Sequence, residues 1–332
     1  MCIYLFTSRV FIYLKIGVNT KSNFMKGSQI NKKQLKFSTE NSDLLDESIK
    51  ELDLDKFKSS FQDRFINYKA IIKIKKSFDN ISEDLAYEWG LELIEDDDHN
   101  CMVVSGLLLE RSKIWFRDLP KTCSIINALA DSEDWKIRQI SIDFMIAIIL
   151  NKIGDYQSFY SSYIQSDNLY FRRIAISAAK NISITRSLSK ETKSEILHLV
   201  TPLLAEKDPY VMTVSYEAFK DGFARSCPEV TKTWLNGLID KIEDPYSKAT
   251  ILSIVSTPLD KENNLTYSLD VIERYITESD PIVVKARSSA LYELCKKDAL
   301  QLSNWLESKM HINQIVDHWA DLEADGLIDA LY

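Results

Sequence analysis

The stretch Ser166-Asp167-Asn168-Leu169-Tyr170-Phe171-Arg172-Arg173-Ile174-Ala175-Ile176 decides the fold. A polar turn breaks the chain, an aromatic pair follows, two arginines sit at the start of a helix, and an apolar stripe continues through Ile174 and Ala178. The same plan starts again near Asp134-Trp135-Lys136-Ile137-Arg138, Asp208-Pro209-Tyr210-Val211, Asp244-Pro245-Tyr246-Ser247-Lys248 and Asp280-Pro281-Ile282-Val283-Val284-Lys285. The starts at 134, 168, 208, 244 and 280 are separated by 34, 40, 36 and 36 residues. That spacing suits antiparallel helix pairs stacked in series. It predicts an all-α fold, a HEAT-like helical-repeat solenoid.

Composition agrees. In 332 residues there are only eight glycines and seven prolines, and 45% of the chain is hydrophobic. This suits long helices with short connections and disfavours an all-β chain, which needs many tight turns. The formal charge is −8. A protein that neutralises several phosphates usually carries a surplus of Lys and Arg on one face, so a nucleic-acid partner requires a local basic strip here. Cys2, Cys101, Cys123, Cys227 and Cys295 lie far apart and are odd in number. A disulfide framework is therefore not expected, and a reducing, cytoplasmic location is.

Residues 1–38 hold seven basic residues and no acid. Ile3 to Val18 is apolar but interrupted by Ser8, Arg9 and Lys15, too short and too charged to span a bilayer. The segment is read either as a disordered or weakly membrane-attracted basic tail or as sequence upstream of a true start at Met25. Residues 39–310 carry the array and residues 311–332 an acidic C-terminal cap. Within the array, Tyr68 to Phe78 reads as a lysine-bearing link, Trp115 to Pro120 as a connector, and Trp135 to Leu150 as the most apolar, central helix. Tyr210 to Arg225 reads as one helix, and His198 as a packed residue. The acid run Glu95-Asp96-Asp97-Asp98 lacks the spacing and central glycine of a calcium loop, and is expected to serve a helix N-terminus; no metal site is expected.

The segment Ser166 to Ile176 resembles the Ser-Asp-Asn, aromatic, Arg, Ala-Ile segment of the AlkC/AlkD-type DNA alkylation repair glycosylases, built from HEAT-like helix pairs. The resemblance extends back to Ser132-Glu133-Asp134-Trp135 and forward to Phe223-Ala224-Arg225-Ser226-Cys227-Pro228-Glu229-Val230, covering roughly residues 25–242. It implies a protein that binds duplex DNA on its concave face and releases cationic N3- or N7-alkylated purines by metal-free, cofactor-free hydrolysis. A carboxylate near the sugar would stabilise the developing positive charge and position water.

Carried over by position, Trp135 corresponds to the first cleft tryptophan of that family and Arg173 to its phosphate-facing arginine. The aspartate expected four residues after the tryptophan is Gln139, which can orient water but carries no charge. Asp143, one turn further on nearly the same face, is the nearest carboxylate. The second cleft tryptophan falls near Ala218, with Tyr216 and Phe219 close by. DNA contacts are thus expected from Trp135, Arg138, Arg172, Arg173 and Tyr216, with one of the two arginines bridging to an acid of the neighbouring helix pair. Lys136, Lys207, Lys220, Lys248 and Lys285 would extend a basic strip. The acidic balance and the missing aspartate also fit a second reading, a non-catalytic scaffold with a protein partner on the concave face.

Overall fold

The computed structural model describes residues 35–36, 39–61, 64–66, 68–260 and 264–309. The basic segment 1–38, except its residues 35 and 36, and the acidic end 311–332 lie outside the described residues. Residues 35–299 form one compact unit, and residues 300–309 belong to a second.

Among the described residues the fold is all-α apart from two two-residue parallel strands, β1 (Leu35–Lys36) and β2 (Arg64–Phe65). The helices in order are α1 (Thr39–Glu51), α2 (Leu54–Ser59), α3 (Tyr68–Ser77), α4 (Glu83–Ile94), α5 (His99–Arg111), α6 (Ile114–Arg117), α7 (Leu119–Leu129), α8 (Trp135–Leu150), α9 (Tyr156–Ile164), α10 (Leu169–Ile184), α11 (Lys190–Leu199), α12 (Pro209–Tyr216), α13 (Pro228–Leu238), α14 (Pro245–Val255), α15 (Thr266–Arg274), α16 (Pro281–Cys295) and α17 (Ala299–Lys309).

One local device sets the starts of the alternate helices. Asp134, Asn168, Asp208 and Asp280 each accept the N–H of the residue two positions on, and Asp244 accepts that of Ser247. Such a side-chain cap satisfies a backbone donor that would otherwise lack a partner, worth about 0.5–2 kcal/mol. The same device starts α5: Asp98, last of the acid run expected to serve a helix N-terminus, accepts the N–H groups of Asn100 and Cys101. Each capped helix packs on the next, α5 on α8, α8 on α10, α10 on α12, and α14 on α16. The helices between them pack alongside: α4 against α5, α7 against α8, α9 against α10, and α15 against α14.

Helix α8 is central, as its composition predicts. Ile137, Ile140, Ile142, Phe144, Met145, Ile148 and Ile149 are all buried. It approaches α5 closely because Gly106 has no side chain: a Cβ there would lie 2.5 Å from Ile140 Cγ1.

Four local expectations change. Tyr68 to Phe78 is helix α3 rather than a link, since Ala70 and Ile74, one turn apart, are buried while lysines take the remaining face. The connector at Trp115 contains a helical turn, α6, which buries Ile114 and Trp115. The helix from Tyr210 does not continue as one: after Tyr216 it widens to a π-helix, Glu217–Ala224. Ala218, Phe219, Gly222, Phe223 and Ala224 are all buried there, and the wider i→i+5 winding gathers them on a narrower arc than an α-helix would. Finally, His198 is exposed, with Ile196 and Leu197 carrying the buried face of α11.

Candidate functional site

The starts of α8 and α10 hold most of the residues singled out by sequence. Trp135, the first residue of α8, is 59% exposed, so its indole does not wedge neighbouring helices apart. Gln139 and Asp143 follow at four-residue steps, which places all three on one column of the helix. Gln139 Nε2 donates to Asp143 Oδ1 at 2.8 Å. Burial pushes the Asp143 carboxyl up to about 6, and the nearby Glu110 carboxylate adds to the rise; the Gln139 amide and Lys75 act in the opposite sense. Lys75, from α3, pairs with Glu110, from α5, at 2.6 Å. Beside the indole, the Asp134 cap also meets His99 Nε2 at 2.6 Å.

The arginines divide by role. Arg138 donates to the Ser132 carbonyl. Arg172 occupies the equivalent place on α10 and donates to the Ser166 carbonyl at 2.8 Å. It also grips Glu206 in a forked pair, Nε to Oε2 at 2.7 Å and Nη2 to Oε1 at 3.3 Å. It is therefore the arginine that bridges helix pairs. Arg173 lies with its guanidinium 3.8 Å from the centre of the Tyr210 ring and donates to the Tyr210 carbonyl. Burial lowers its pKa; Tyr210 opposes this and the like charge of Arg138 reinforces it, so the two cations share one neighbourhood. The Tyr170 and Tyr210 rings meet edge to face, with centroids 5.9 Å apart.

The remaining expected residues lie elsewhere. Tyr216 is half-buried and directed to Thr250 of α14; burial raises its hydroxyl, and the Thr250 hydrogen bond partly offsets this. Phe219 is buried and stacked on Trp234, with centroids 5.7 Å apart. Of the lysines proposed as a strip, Lys248 is held by Glu278 at 2.5 Å and Lys207 lies over the Tyr246 ring at 5.4 Å.

Sequence reasoning missed Glu110, Lys75, His99 and Glu206. One signal runs through them: the partners are about one helix pair apart in sequence. Lys75 and Glu110 are separated by 35 residues, Arg172 and Glu206 by 34, Arg173 and Tyr210 by 37, and Lys180 and Glu217 by 37.

The site thus combines an exposed indole, a carboxylate that burial raises to about 6, an amide that donates to it, and two half-buried arginines. Among the described residues no group of three or more His, Cys, Asp or Glu is placed to hold a metal ion. No described helix is long and apolar enough to cross a membrane. Compared with protein-family models and with curated proteins, the sequence has no match.

Proposed function

We propose that the chain is a HEAT-like helical-repeat protein that binds duplex DNA along the helix starts carrying Trp135, Arg138 and Arg173, in the manner of the alkylation repair glycosylases it resembles. The observation that carries this is the column Trp135–Gln139–Asp143. An indole exposed to this degree contributes nothing to the core, yet it stands two turns from a partly buried carboxylate on the same column of the helix. An aromatic face suits a cationic alkylated purine, and a carboxylate below it suits the oxocarbenium charge that develops when the base departs. Gln139 would orient the attacking water, with Asp143 as the general base. Ionised Asp143 is required for that role, so activity falls as pH drops through about 6.

The test is release of 7-methylguanine or 3-methyladenine from alkylated duplex. Release by the wild type that disappears in Asp143→Asn supports the reading, whereas equal release by both sinks the catalytic assignment.

A second reading, a protein-binding scaffold, draws on a different observation. Many cations are neutralised by acids of neighbouring helices, as in Arg172–Glu206, Lys248–Glu278, Lys180–Glu217 and Lys75–Glu110. Duplex binding that weakens steeply from low to physiological salt supports the DNA reading; no binding even at low salt leaves the scaffold.

A further inference from the structure

At the other end of α10 from Arg173 the chain forms a second basic site. Helix α10 ends at Ile184, on the order of 15 Å along the axis from Arg173 at 1.5 Å per residue. There Ile184, Arg186, Lys193, Arg225 and Ser226 line an open recess of about 470 Å³. Lys193, in the second turn of α11, also lines an adjoining recess, with Cys227 and Pro228 at the start of α13.

Three observations converge on an anion. First, Lys193 is only 6% exposed as a whole residue, and neither it nor Arg186 has an ion-pair partner among the described residues. The Lys193 stem is packed away while the residue lines both recesses, so an anion there would meet an ammonium that no described carboxylate neutralises. The adjacent Cys227 thiol does not serve, because burial raises its pKa and keeps it neutral. Second, α13 is an eleven-residue helix whose N-cap residue, Cys227, makes no side-chain cap hydrogen bond. The N-terminus of such a helix favours negative charge. Third, the two acids that line the adjoining recess are engaged, Glu229 with Lys190 and Asp260 with Lys232, and Asp221 pairs with Arg225 at 3.2 Å. The Ser226 hydroxyl donates to the Ser183 and Gly222 carbonyls.

We infer that this recess binds a phosphate-type dianion, either free phosphate or a phosphate monoester, between Lys193, Arg186 and Arg225 at the start of α13. The inference does not rest on the DNA reading. The test is isothermal titration of the full chain, at constant ionic strength in chloride buffer, with inorganic phosphate in one arm and glycerol phosphate in the other. Saturable binding in either arm is expected, and the arm that binds more tightly identifies the source. Lys193→Met should weaken it at least about tenfold, as expected for loss of a charge-assisted contact. Since Lys193 is buried, the exposed pair Arg186→Ala with Arg225→Ala provides a second variant; it should weaken binding while leaving the ligand-free melting temperature unchanged. No saturable heat in either arm up to about 20 mM, which excludes a dissociation constant even in the weak millimolar range, overturns the inference. So does wild-type affinity in both variants.

Discussion

Helices α8 and α10 are the same length, sixteen residues, and begin with the same kind of cap, yet they use matching positions differently. Four residues past the cap each has an arginine folded back onto the preceding turn, Arg138 onto Ser132 and Arg172 onto Ser166. Five past the cap α8 has Gln139 and α10 has Arg173; nine past it α8 has Asp143 and α10 has Ser177. The first column holds the helices in place. The second differs, and in α8 it carries an exposed indole and a partly buried carboxylate that accepts from Gln139. That asymmetry, more than any single residue, singles out α8.

The comparison predicts unequal losses. Removing Arg172 should have the largest effect, because it leaves Glu206, whose side chain is 8% exposed, as an uncompensated charge. Arg172→Ala is expected to cost about 2–4 kcal/mol in urea denaturation, against about 1 kcal/mol for Arg138→Ala, which loses a hydrogen bond to a carbonyl alone. Burial by itself would raise the Glu206 carboxyl, but donation from Arg172 and from the backbone N–H groups of Asp208 and Lys207 outweighs it and holds the pKa below the usual range. A depressed carboxylate contributes stability at neutral pH that disappears as pH falls through its folded pKa. The gap between wild type and Arg172→Ala should therefore narrow in strong acid. Equal costs for Arg172 and Arg138 would erase the first half of the comparison.

The second half predicts a gain. With its carboxyl raised to about 6 by burial, Asp143 is protonated in the folded chain at pH values where the unfolded chain has already ionised. Its contribution is fully present below about pH 4 and is lost as pH rises through 6. Asp143→Asn retains the oxygen that accepts from Gln139 and removes the charge. It should stabilise the protein by about 1–3 kcal/mol at pH 8 and by nothing at pH 4. A difference that does not vary with pH would show that the carboxylate bears no such cost.

The contrast between the helices was partly legible in the sequence. Caps are local, so Asp134, Asn168, Asp208, Asp244 and Asp280 announced their helices, and the limits of α8, Trp135 and Leu150, are those its apolar run suggested. The four-residue step from Gln139 to Asp143 was equally local. Partners one helix pair away were not legible: nothing near Arg172 points to Glu206, and nothing near Asp143 shows that Glu110 and Lys75 of other helices surround it. The lysines of α3 concealed the Ala70 and Ile74 stripe for a related reason, since a long charged side chain lies beside apolar surface without belonging to the core. The π-helix after Tyr216 depends on how tightly the Phe219 and Phe223 face must pack, which periodicity alone does not resolve.

Exchanging the second-column residue of α10 for that of α8 gives a smaller effect. Arg173→Gln removes the stacking on Tyr210 and the bond to its carbonyl, and should cost about 1–2 kcal/mol in the same urea experiment. Under the DNA reading it should also weaken duplex binding uniformly across sequences and reduce the salt slope, as loss of a phosphate contact does. A variant that loses stability but binds duplex as before would assign Arg173 to the framework with Arg172.

The smallest change in stability is expected at the residue that matters most to the functional reading. Trp135 lies outside the core, so Trp135→Ala should shift unfolding by no more than about 0.5 kcal/mol. Its effect on ligand should be selective rather than general. An aromatic face attracts a cationic ring by about 0.5–2 kcal/mol and gains much less from a neutral one. Binding to a duplex containing 7-methylguanine should thus fall about threefold to thirtyfold, while binding to the unmodified duplex changes little. Fluorescence anisotropy on the two duplexes measures that ratio directly. If both affinities fall together, Trp135 is a general contact and the α8 column loses its link to alkylated bases; if neither falls, its exposure is unrelated to DNA and the scaffold reading gains.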